Sequence, residues 1–202
     1  VIGISEPNKK AVLDCCESGS TLRFLIPVAA ALGADATFCG QGRLPQRPID
    51  IFTRELSSKG ITFDYNNTMP FDISGKLKGG TFSLEGNVSS QFVTGLLFAL
   101  PLLSENSEIV MTSRLESKPY VDMTVASLKM FGITVDENEN GYRIKGGQAY
   151  RPCSCSVEGD FSQAAFFYVA NAIGSNVLLE NLNSESVQGD KKILEIIKEY
   201  KY

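Results

Sequence analysis

Two serines and a glutamine, Ser89, Ser90 and Gln91, stand directly before an apolar run from Phe92 to Leu100. The first four backbone N–H groups of a helix have no partner within the helix, and short hydroxyl side chains are favoured there because they bond to these groups. The same N–H groups and the positive end of the helix dipole attract phosphate and carboxylate groups. The stretch predicts a helix N-terminus, and Ser89 is either an N-cap alone or part of an anion site.

The pattern of a turn, a hydroxyl residue and an apolar helix occurs three times, which favours the anion-site interpretation. Glu17, Glu85 and Glu158 begin equivalent turns 68 and 73 residues apart, and each turn contains a glycine and is followed by a serine. A period of this length is too long for a solenoid and fits a repeated βαβαβ unit. We therefore expect the helix N-termini of three similar units to point toward one place.

Composition and charge exclude several classes of partner. The 202 residues are 43% hydrophobic and 21% charged, and the net charge is −4, so the sequence predicts neither nucleic-acid nor membrane binding. No apolar run reaches the length of a membrane span and no signal peptide is recognisable, which predicts a cytoplasmic protein. Because the chain begins at Val1 and ends at Tyr202 within a predicted helix, we expect it to be a fragment.

The five cysteines and the absence of histidine limit the chemistry further. The cysteines form no Cys-x-x-Cys pair and their number is odd, so we expect reduced, mostly buried thiols and no metal site. Without histidine, a Ser-His-Asp or Cys-His nucleophile is excluded within this chain. Acid–base chemistry would fall to carboxylates, lysines or tyrosines.

Apolar periodicity and turn signals predict alternating strands and helices. The predicted strands are 11–16, 36–39, 61–65, 81–84, 108–111, 133–135, 142–145, 154–157 and 177–179. The predicted helices are 21–32, 49–59, a helix that follows residue 90 and runs to about 103, 119–131, 161–173 and 191–200. This order predicts an α/β (α+β) fold class.

Six segments resemble successive motifs of the 3-phosphoshikimate 1-carboxyvinyltransferase (5-enolpyruvylshikimate-3-phosphate synthase) family. They are ESGSTLRF (17–24), LPQRP (44–48), GNVSSQF (86–92), ESKPYVD (116–122), VEGD (157–160) and VQGD (187–190). The resemblance implies a two-lobed enolpyruvyl transferase fold, an inside-out α/β barrel built from repeated βαβαββ units. Residues 1–152 would form the second and third units of one lobe, and residues 153–202 the incomplete opening unit of the other.

The family's activity, which the resemblance implies for the whole protein, is transfer of the enolpyruvyl group from phosphoenolpyruvate to the 5-hydroxyl of shikimate 3-phosphate. Phosphate is released, no cofactor takes part, and the product leads to aromatic amino acids through the shikimate pathway. The family's amino-terminal and carboxy-terminal substrate ligands are missing from this chain, so we expect the chain alone to be inactive. The full-length protein is expected to be monomeric, and an uncovered lobe surface is expected to favour self-association of the fragment.

The matching positions imply a substrate site made of residues from several motifs. Shikimate 3-phosphate would be bound by Ser89, Ser90, Ser117 and Tyr120, with Gln91 reaching both substrates. The hydroxyls at 89 and 90 are the same groups that the helix-start pattern indicates.

Three further positions carry implied roles and also have simpler interpretations. Gly19 would let a backbone N–H approach phosphoenolpyruvate, and Arg47 would clamp it with a planar guanidinium. Asp190 would contact shikimate 3-phosphate and act as the base that removes the proton of its 5-hydroxyl. Taken alone, Gly19 only relieves a turn, Arg47 is a loop charge, and Asp190 is a helix N-cap. The simpler interpretation of Arg23, one turn into a helix, is a structural residue that pairs with a carboxylate such as Glu17 or Asp160.

Two other functions stay open. UDP-N-acetylglucosamine 1-carboxyvinyltransferase has the same architecture and also uses phosphoenolpyruvate, but the Ser-Ser-Gln and Ser-Lys-Pro-Tyr segments favour shikimate 3-phosphate. The alternative from another class is a non-catalytic module that retains the phosphate site. The family also binds glyphosate in its phosphoenolpyruvate pocket, and Gly19 implies sensitivity to it because no side chain crowds that pocket.

Overall fold

The computed structural model describes residues 9–199 and contains two successive βαβαββ units followed by a helical segment. The first unit consists of β1 (Lys10–Asp14), α1 (Gly19–Leu32), β2 (Asp35–Cys39), α2 (Asp50–Ser57), β3 (Ile61–Asp64) and β4 (Phe71–Gly75). The second consists of β5 (Gly80–Leu84), α3 (Ser90–Ala99), β6 (Ser107–Met111), α4 (Lys118–Met130), β7 (Val135–Asn138) and β8 (Gly141–Ile144). The last segment contains α5 (Phe161–Ala172) and α6 (Ile193–Glu199).

The outer ends of the predicted domains, 1–152 and 153–202, and the predicted helix end at Tyr200 lie outside the described residues. Within residues 9–199, no helix is both long and apolar enough to cross a membrane.

The two units have the same sheet topology. Each forms a four-stranded sheet, in the order β1-β2-β4-β3 and β5-β6-β8-β7. The first two strands of each sheet are parallel and are connected by a helix, whereas the remaining pairs are antiparallel. The repeat that the spaced turns predict is therefore present in the backbone, and the fold class is α/β.

A single apolar core joins both units through their helices. Phe52 of α2 and Phe92 of α3 are fully buried, and their rings meet edge to face with centroids 4.8 Å apart. Phe38 and Phe82, from the sheets of the first and second units, are also fully buried in this cluster. Burial of such large side chains drives the helices onto the sheets and onto each other.

The side chains of α2 cover the free edge of β5. Glu55 Oε2 accepts a hydrogen bond from the Ser83 N–H at 2.9 Å, and Arg54 Nη2 donates to the Ser83 carbonyl at 3.3 Å. Arg54 also pairs with Glu85 at 3.0 Å. Because an open strand edge invites wrong pairing, this cover both joins the units and protects the second sheet.

The strands predicted at 154–157 and 177–179 do not form. Val157 and Leu178 are 88% and 83% exposed. In the two complete units the second strand, β2 or β6, pairs with a neighbour on each side. The residues described after 176 include no antiparallel partner for the equivalent predicted strand at 177–179. Two parallel strands alone are marginal in water, which accounts for the absence of a strand ladder in this segment.

The cysteine prediction is only partly correct. All five are free, and burial raises the pKa of the Cys15 thiol to about 11. Cys39 is half-buried, but Cys16, Cys153 and Cys155 are exposed, so the expectation of mostly buried thiols is wrong. Cys16 has a φ of 48°, in the left-handed region, and lies in the turn that ends β1 earlier than predicted.

The contact between α1 and α3 depends on Gly95. A Cβ at this position would overlap the backbone carbonyl oxygen of Arg23 and lie 3.1 Å from Pro27 Cγ. Gly95→Ala should therefore lower the free energy of unfolding by about 1–3 kcal/mol, as overpacked cores do. Helix propensity alone predicts a gain of about 1 kcal/mol from the same change, so the sign of the change separates the two effects. Urea unfolding followed by circular dichroism measures it, and a gain in stability would contradict the packing argument.

Candidate functional site

The N-terminus of α3 forms as the sequence predicts. Ser89 is the N-cap, and its hydroxyl oxygen accepts a hydrogen bond from the Gln91 N–H at 3.3 Å. Ser90 is the first helical residue. The N-cap interpretation of Ser89 is confirmed, and it does not exclude ligand binding because the hydroxyl proton takes no part in the capping bond.

The N-terminus of α1 lies beside that of α3. Ser18 caps α1 by accepting hydrogen bonds from the Thr21 N–H at 3.1 Å and the Thr21 hydroxyl at 2.8 Å. Gln91 then bridges the helices, since its Nε2 donates to Ser20 Oγ at 2.8 Å. Two helix N-termini, each with a positive dipole end, are thereby brought to one place.

Arg23 holds the other side of the Gln91 amide. Arg23 Nη1 donates to Gln91 Oε1 at 2.8 Å and Nη2 donates to the Pro48 carbonyl at 3.2 Å. The guanidinium stacks on Phe92 at 4.7 Å from the ring centroid, and the residue is only 7% exposed. Burial, together with the neighbouring Arg47, lowers the pKa of Arg23. Because the guanidinium of arginine stays protonated in proteins, Arg23 is a buried positive charge.

The predicted pairing of Arg23 with Glu17 or Asp160 is wrong. No described carboxylate lies within salt-bridge distance of Arg23 in residues 9–199. The Glu17 carboxylate instead lies against the next loop, where a Cβ on Gly42 would be 2.5 Å from Glu17 Oε2. Asp160 caps α5 by accepting a hydrogen bond from the Ser162 N–H.

Gly19 and Arg47 are neighbours in space. Arg47 follows a short 3-10 helix, Leu44–Gln46, and a Cβ on Gly19 would lie 2.8 Å from Arg47 Nη1. The absence of a side chain at Gly19 therefore leaves room for the guanidinium at the start of α1. Both residues can bind the same anion, Gly19 through its backbone N–H and Arg47 through its charged guanidinium.

A cavity of about 490 Å³ lies at these helix starts. Its polar lining includes Ser20, Ser89, Ser90, Gln91, Ser117 and Tyr120. Apolar and hydroxyl groups of α1, α3 and α4 continue the wall: Phe24, Phe98, Met123, Thr94, Thr124 and Ser127. Ser117 is the N-cap of α4 but makes no side-chain capping bond, so its hydroxyl is available to a ligand.

Asp190 reaches the wall of the cavity through Tyr120. Its Oδ2 accepts hydrogen bonds from the Tyr120 hydroxyl at 3.2 Å and from Ser162 Oγ at 2.6 Å. The charge of Asp190 raises the pKa of Tyr120, with smaller effects from burial and from the hydrogen bond itself. The N-cap interpretation of Asp190 is wrong, because the residue lies inside the 3-10 helix Gly189–Lys192, whose N-cap is Gln188.

A family model described as EPSP synthase (3-phosphoshikimate 1-carboxyvinyltransferase) matches residues 2–201. The chain belongs to the EPSP synthase family.

Relatives of known name agree with this assignment. A 3-phosphoshikimate 1-carboxyvinyltransferase of Clostridium beijerinckii is 45% identical over 98% of this chain and 48% of its own length. The enzyme of the same name from Clostridium kluyveri is 48% identical over 95% of this chain and 45% of its own length. An EPSP synthase structure from Acinetobacter baumannii matches with a TM-score of 0.77 and 26% identity, covering 94% of this chain and 42% of that one. The chain thus spans about half the length of the EPSP synthases it matches.

The structure brings together most of the residues that were predicted from the EPSP synthase motifs. Five of them line the cavity: Ser89, Ser90, Gln91, Ser117 and Tyr120. Gly19 directly precedes the cavity residue Ser20 and contacts Arg47, while Asp190 contacts Tyr120. The expected convergence of three helix starts holds for α1 and α3, but α5 is not part of this wall.

Sequence reasoning missed Ser20 and Ser162 and gave Arg23 the wrong partner. Ser20 and Ser162 each follow one of the three repeated turns, so the repeat itself was the signal that could have found them. For metals the residues described give no candidate, since no group of three or more Cys, Asp or Glu side chains is arranged to hold an ion.

Asp190→Asn should lower the pKa of Tyr120 toward its ordinary value, because the change removes the carboxylate charge that disfavours tyrosinate. Spectrophotometric titration of tyrosinate, compared between Asp190→Asn and the parent, measures the shift. Tyr120→Phe identifies which part of the titration belongs to Tyr120. Coincident curves for Asp190→Asn and the parent would show that the contact does not persist in solution.

Proposed function

We propose that this chain supplies the shikimate 3-phosphate site, and part of the phosphoenolpyruvate site, of an enzyme that transfers the enolpyruvyl group between them with release of phosphate. The observation that carries the proposal is the cavity of this EPSP synthase family member, which is lined by Gln91 and by serines that include Ser89, Ser90 and Ser117. Because the chain spans about half of its relatives, the proposed activity belongs to the whole protein. The chain alone is expected to be inactive.

The cavity suits a phosphate monoester for electrostatic reasons. Ser89 and Ser90 lie at the start of α3 and Ser117 at the start of α4, so their hydroxyls act together with two helix dipoles. These donors are neutral and need no counter-charge when the site is empty. Tyr120, on the first turn of α4, adds a fourth hydroxyl.

The cations lie beside α1, which supports a separate place for phosphoenolpyruvate. Arg47 lies against Gly19, and Arg23 lies behind Gln91. A carboxylate and a phosphate on one small substrate require more positive charge than hydroxyls supply. Gly19 has no side chain to crowd this part of the site, which also supports the proposal that glyphosate binds there.

Asp190 can act either as a catalytic base or as a residue that positions Tyr120, and its contacts favour the positioning role. As a base it would remove the proton of the 5-hydroxyl during attack on phosphoenolpyruvate. Its Oδ2 already accepts hydrogen bonds from two protein hydroxyls, those of Ser162 and Tyr120, so the contacts of this carboxylate hold the Tyr120 hydroxyl in place. We therefore favour Asp190 as a positioning residue that orients Tyr120, and its role as base stays a prediction.

Two observations bear on the alternative functions. The relatives named above are all 3-phosphoshikimate 1-carboxyvinyltransferases, which supports shikimate 3-phosphate over UDP-N-acetylglucosamine as the acceptor. The clustered hydroxyls of the cavity alone would equally suit a non-catalytic binding module, so turnover by the whole protein decides that question. A monomeric state, a cytoplasmic location and independence from cofactors stay predictions.

The phosphate site can be tested without disturbing the helix. Ser89→Gly combined with Ser90→Ala removes both hydroxyls while keeping a residue that caps almost as well as serine. The affinity of the whole protein for shikimate 3-phosphate should fall at least tenfold, since each hydrogen bond to a charged group contributes about 1.5–3 kcal/mol. Calorimetric titration measures it, and Ser74→Ala on the exposed face of β4 is the matched control. An affinity equal to that of the control would exclude the two hydroxyls as phosphate ligands.

Kinetics of the whole protein separate the two roles of Asp190. If Asp190 is the base, Asp190→Asn should lower kcat by about 10²–10⁴. If it orients Tyr120, the main change should be a KM for shikimate 3-phosphate raised to the same extent as in Tyr120→Phe. Ser162→Ala adds a second criterion, because it removes one of the two donors that hold the Asp190 carboxylate and should raise the same KM if Asp190 orients Tyr120. A large loss of kcat in Asp190→Asn alone would overturn the positioning role.

A further inference from the structure

The Gln91 amide is held from both sides, and its partners fix which atom faces which way. Its oxygen accepts from Arg23 Nη1, and its nitrogen donates to Ser20 Oγ, both at 2.8 Å. A guanidinium has only N–H donors, so it accommodates the amide oxygen and excludes the amide NH₂ group. The NH₂ group must then lie on the side of Ser20, a residue of the cavity wall.

This orientation leaves the amide with one N–H that no described protein group in residues 9–199 accepts. Gln91 lines the cavity, so the free N–H belongs to a surface that also carries serine hydroxyls and the starts of α3 and α4. Rotation of the amide by half a turn would replace this donor with an oxygen. An oxygen at the same place would repel a carboxylate or phosphate group.

The burial of the charged Arg23 side chain is not explained by an ion pair. Its partners are the Gln91 amide, the Pro48 carbonyl and the Phe92 ring, and its Nε atom is buried without a hydrogen-bond partner. Burying a charge without a counter-ion is costly, and a packed apolar side chain would stabilise the fold equally well. What an apolar side chain cannot do is select the orientation of the neighbouring amide.

We propose that Arg23 is a positioning residue that locks the Gln91 amide, with Ser20, so that Gln91 presents an N–H and not an oxygen to an anionic substrate. The identity of that substrate, phosphoenolpyruvate, rests on the proposed function. The orientation of the amide does not.

The kinetic test uses the whole protein with shikimate 3-phosphate and phosphoenolpyruvate. Arg23→Met fills the same space without a donor, and the KM for phosphoenolpyruvate should rise about tenfold with a smaller change in kcat, as expected for one lost bond to a charged group. Arg23→Lys keeps a donor-only group at the amide oxygen and should recover most of the loss. Arg143→Met, on the outer face of the second sheet, removes the same charge at an exposed ion pair and should leave KM unchanged.

A second measurement needs no substrate. The side-chain NH₂ signals of Gln91 in ¹⁵N-labelled chain are assigned by their loss in Gln91→Glu. One N–H should exchange slowly because it is bonded to Ser20, and this protection should be lost in both Arg23→Met and Ser20→Ala. If Arg23→Met does not fold, Arg23→Gln carries the same test, because its amide can offer either a donor or an acceptor to Gln91 and so should also lose the protection. Arg23→Lys is then the variant that should keep it.

The outcomes are distinguishable. Unchanged Gln91 protection in Arg23→Met, or a KM equal to that of Arg143→Met, would overturn the inference. Loss of protection as expected, in a protein that does not turn over shikimate 3-phosphate and phosphoenolpyruvate, would leave the inference standing and remove the proposed function. A melting temperature that falls while KM and protection stay constant would assign Arg23 a structural role alone.

Discussion

The close contact between α1 and α3 determines where the polar groups of the cavity lie. Gly95 lets the backbone of α3 meet the carbonyl of Arg23, and the two helices can then place their N-termini side by side. Only at this separation can Gln91 reach Ser20 and Arg23 across the interface. One apolar packing contact therefore places two helix dipoles, an amide and a guanidinium around a single ligand position.

The site offers an anionic ligand two kinds of hydrogen-bond donor, neutral hydroxyls and charged guanidinium groups. The α3 and α4 side offers serine hydroxyls and helix starts, which cost little to leave solvated when no ligand is bound. The α1 side offers Arg47 and Arg23, and the pKa of Arg23 is lowered by burial and by its like-charged neighbour. Because the whole chain is acidic, with a net charge of −4, its attraction for an anion must come from this local arrangement.

Features that depend on local sequence were predictable, and features that depend on distant contacts were not. The Ser89 cap follows from a pattern of a few adjacent residues, and the repeated units follow from the recurrence of such short local patterns along the chain. The partner of Arg23 lies 68 positions away, and helix position alone could not show that α1 would present it to Gln91 instead of a carboxylate. The strand at 71–75 was missed although Phe71 and Ile73 alternate with polar residues, because so short a run predicts little without knowledge of its neighbours. The strands predicted near Val157 and Leu178 failed for the opposite reason, since a strand pattern forms a sheet only when partners are present.

The three repeated helix starts differ in their capping residue, and this difference changes what each helix start can bind. Serines cap α1 and α3, and a neutral cap leaves the positive end of each helix dipole available to a ligand. Asp160 caps α5, and its negative charge satisfies the dipole from within the protein. The hydroxyl that follows, Ser162, donates to Asp190 and so joins this segment to Tyr120 on α4. The change from serine to aspartate at the cap thus separates a helix start that can receive an anion from one that holds the wall of the site in place.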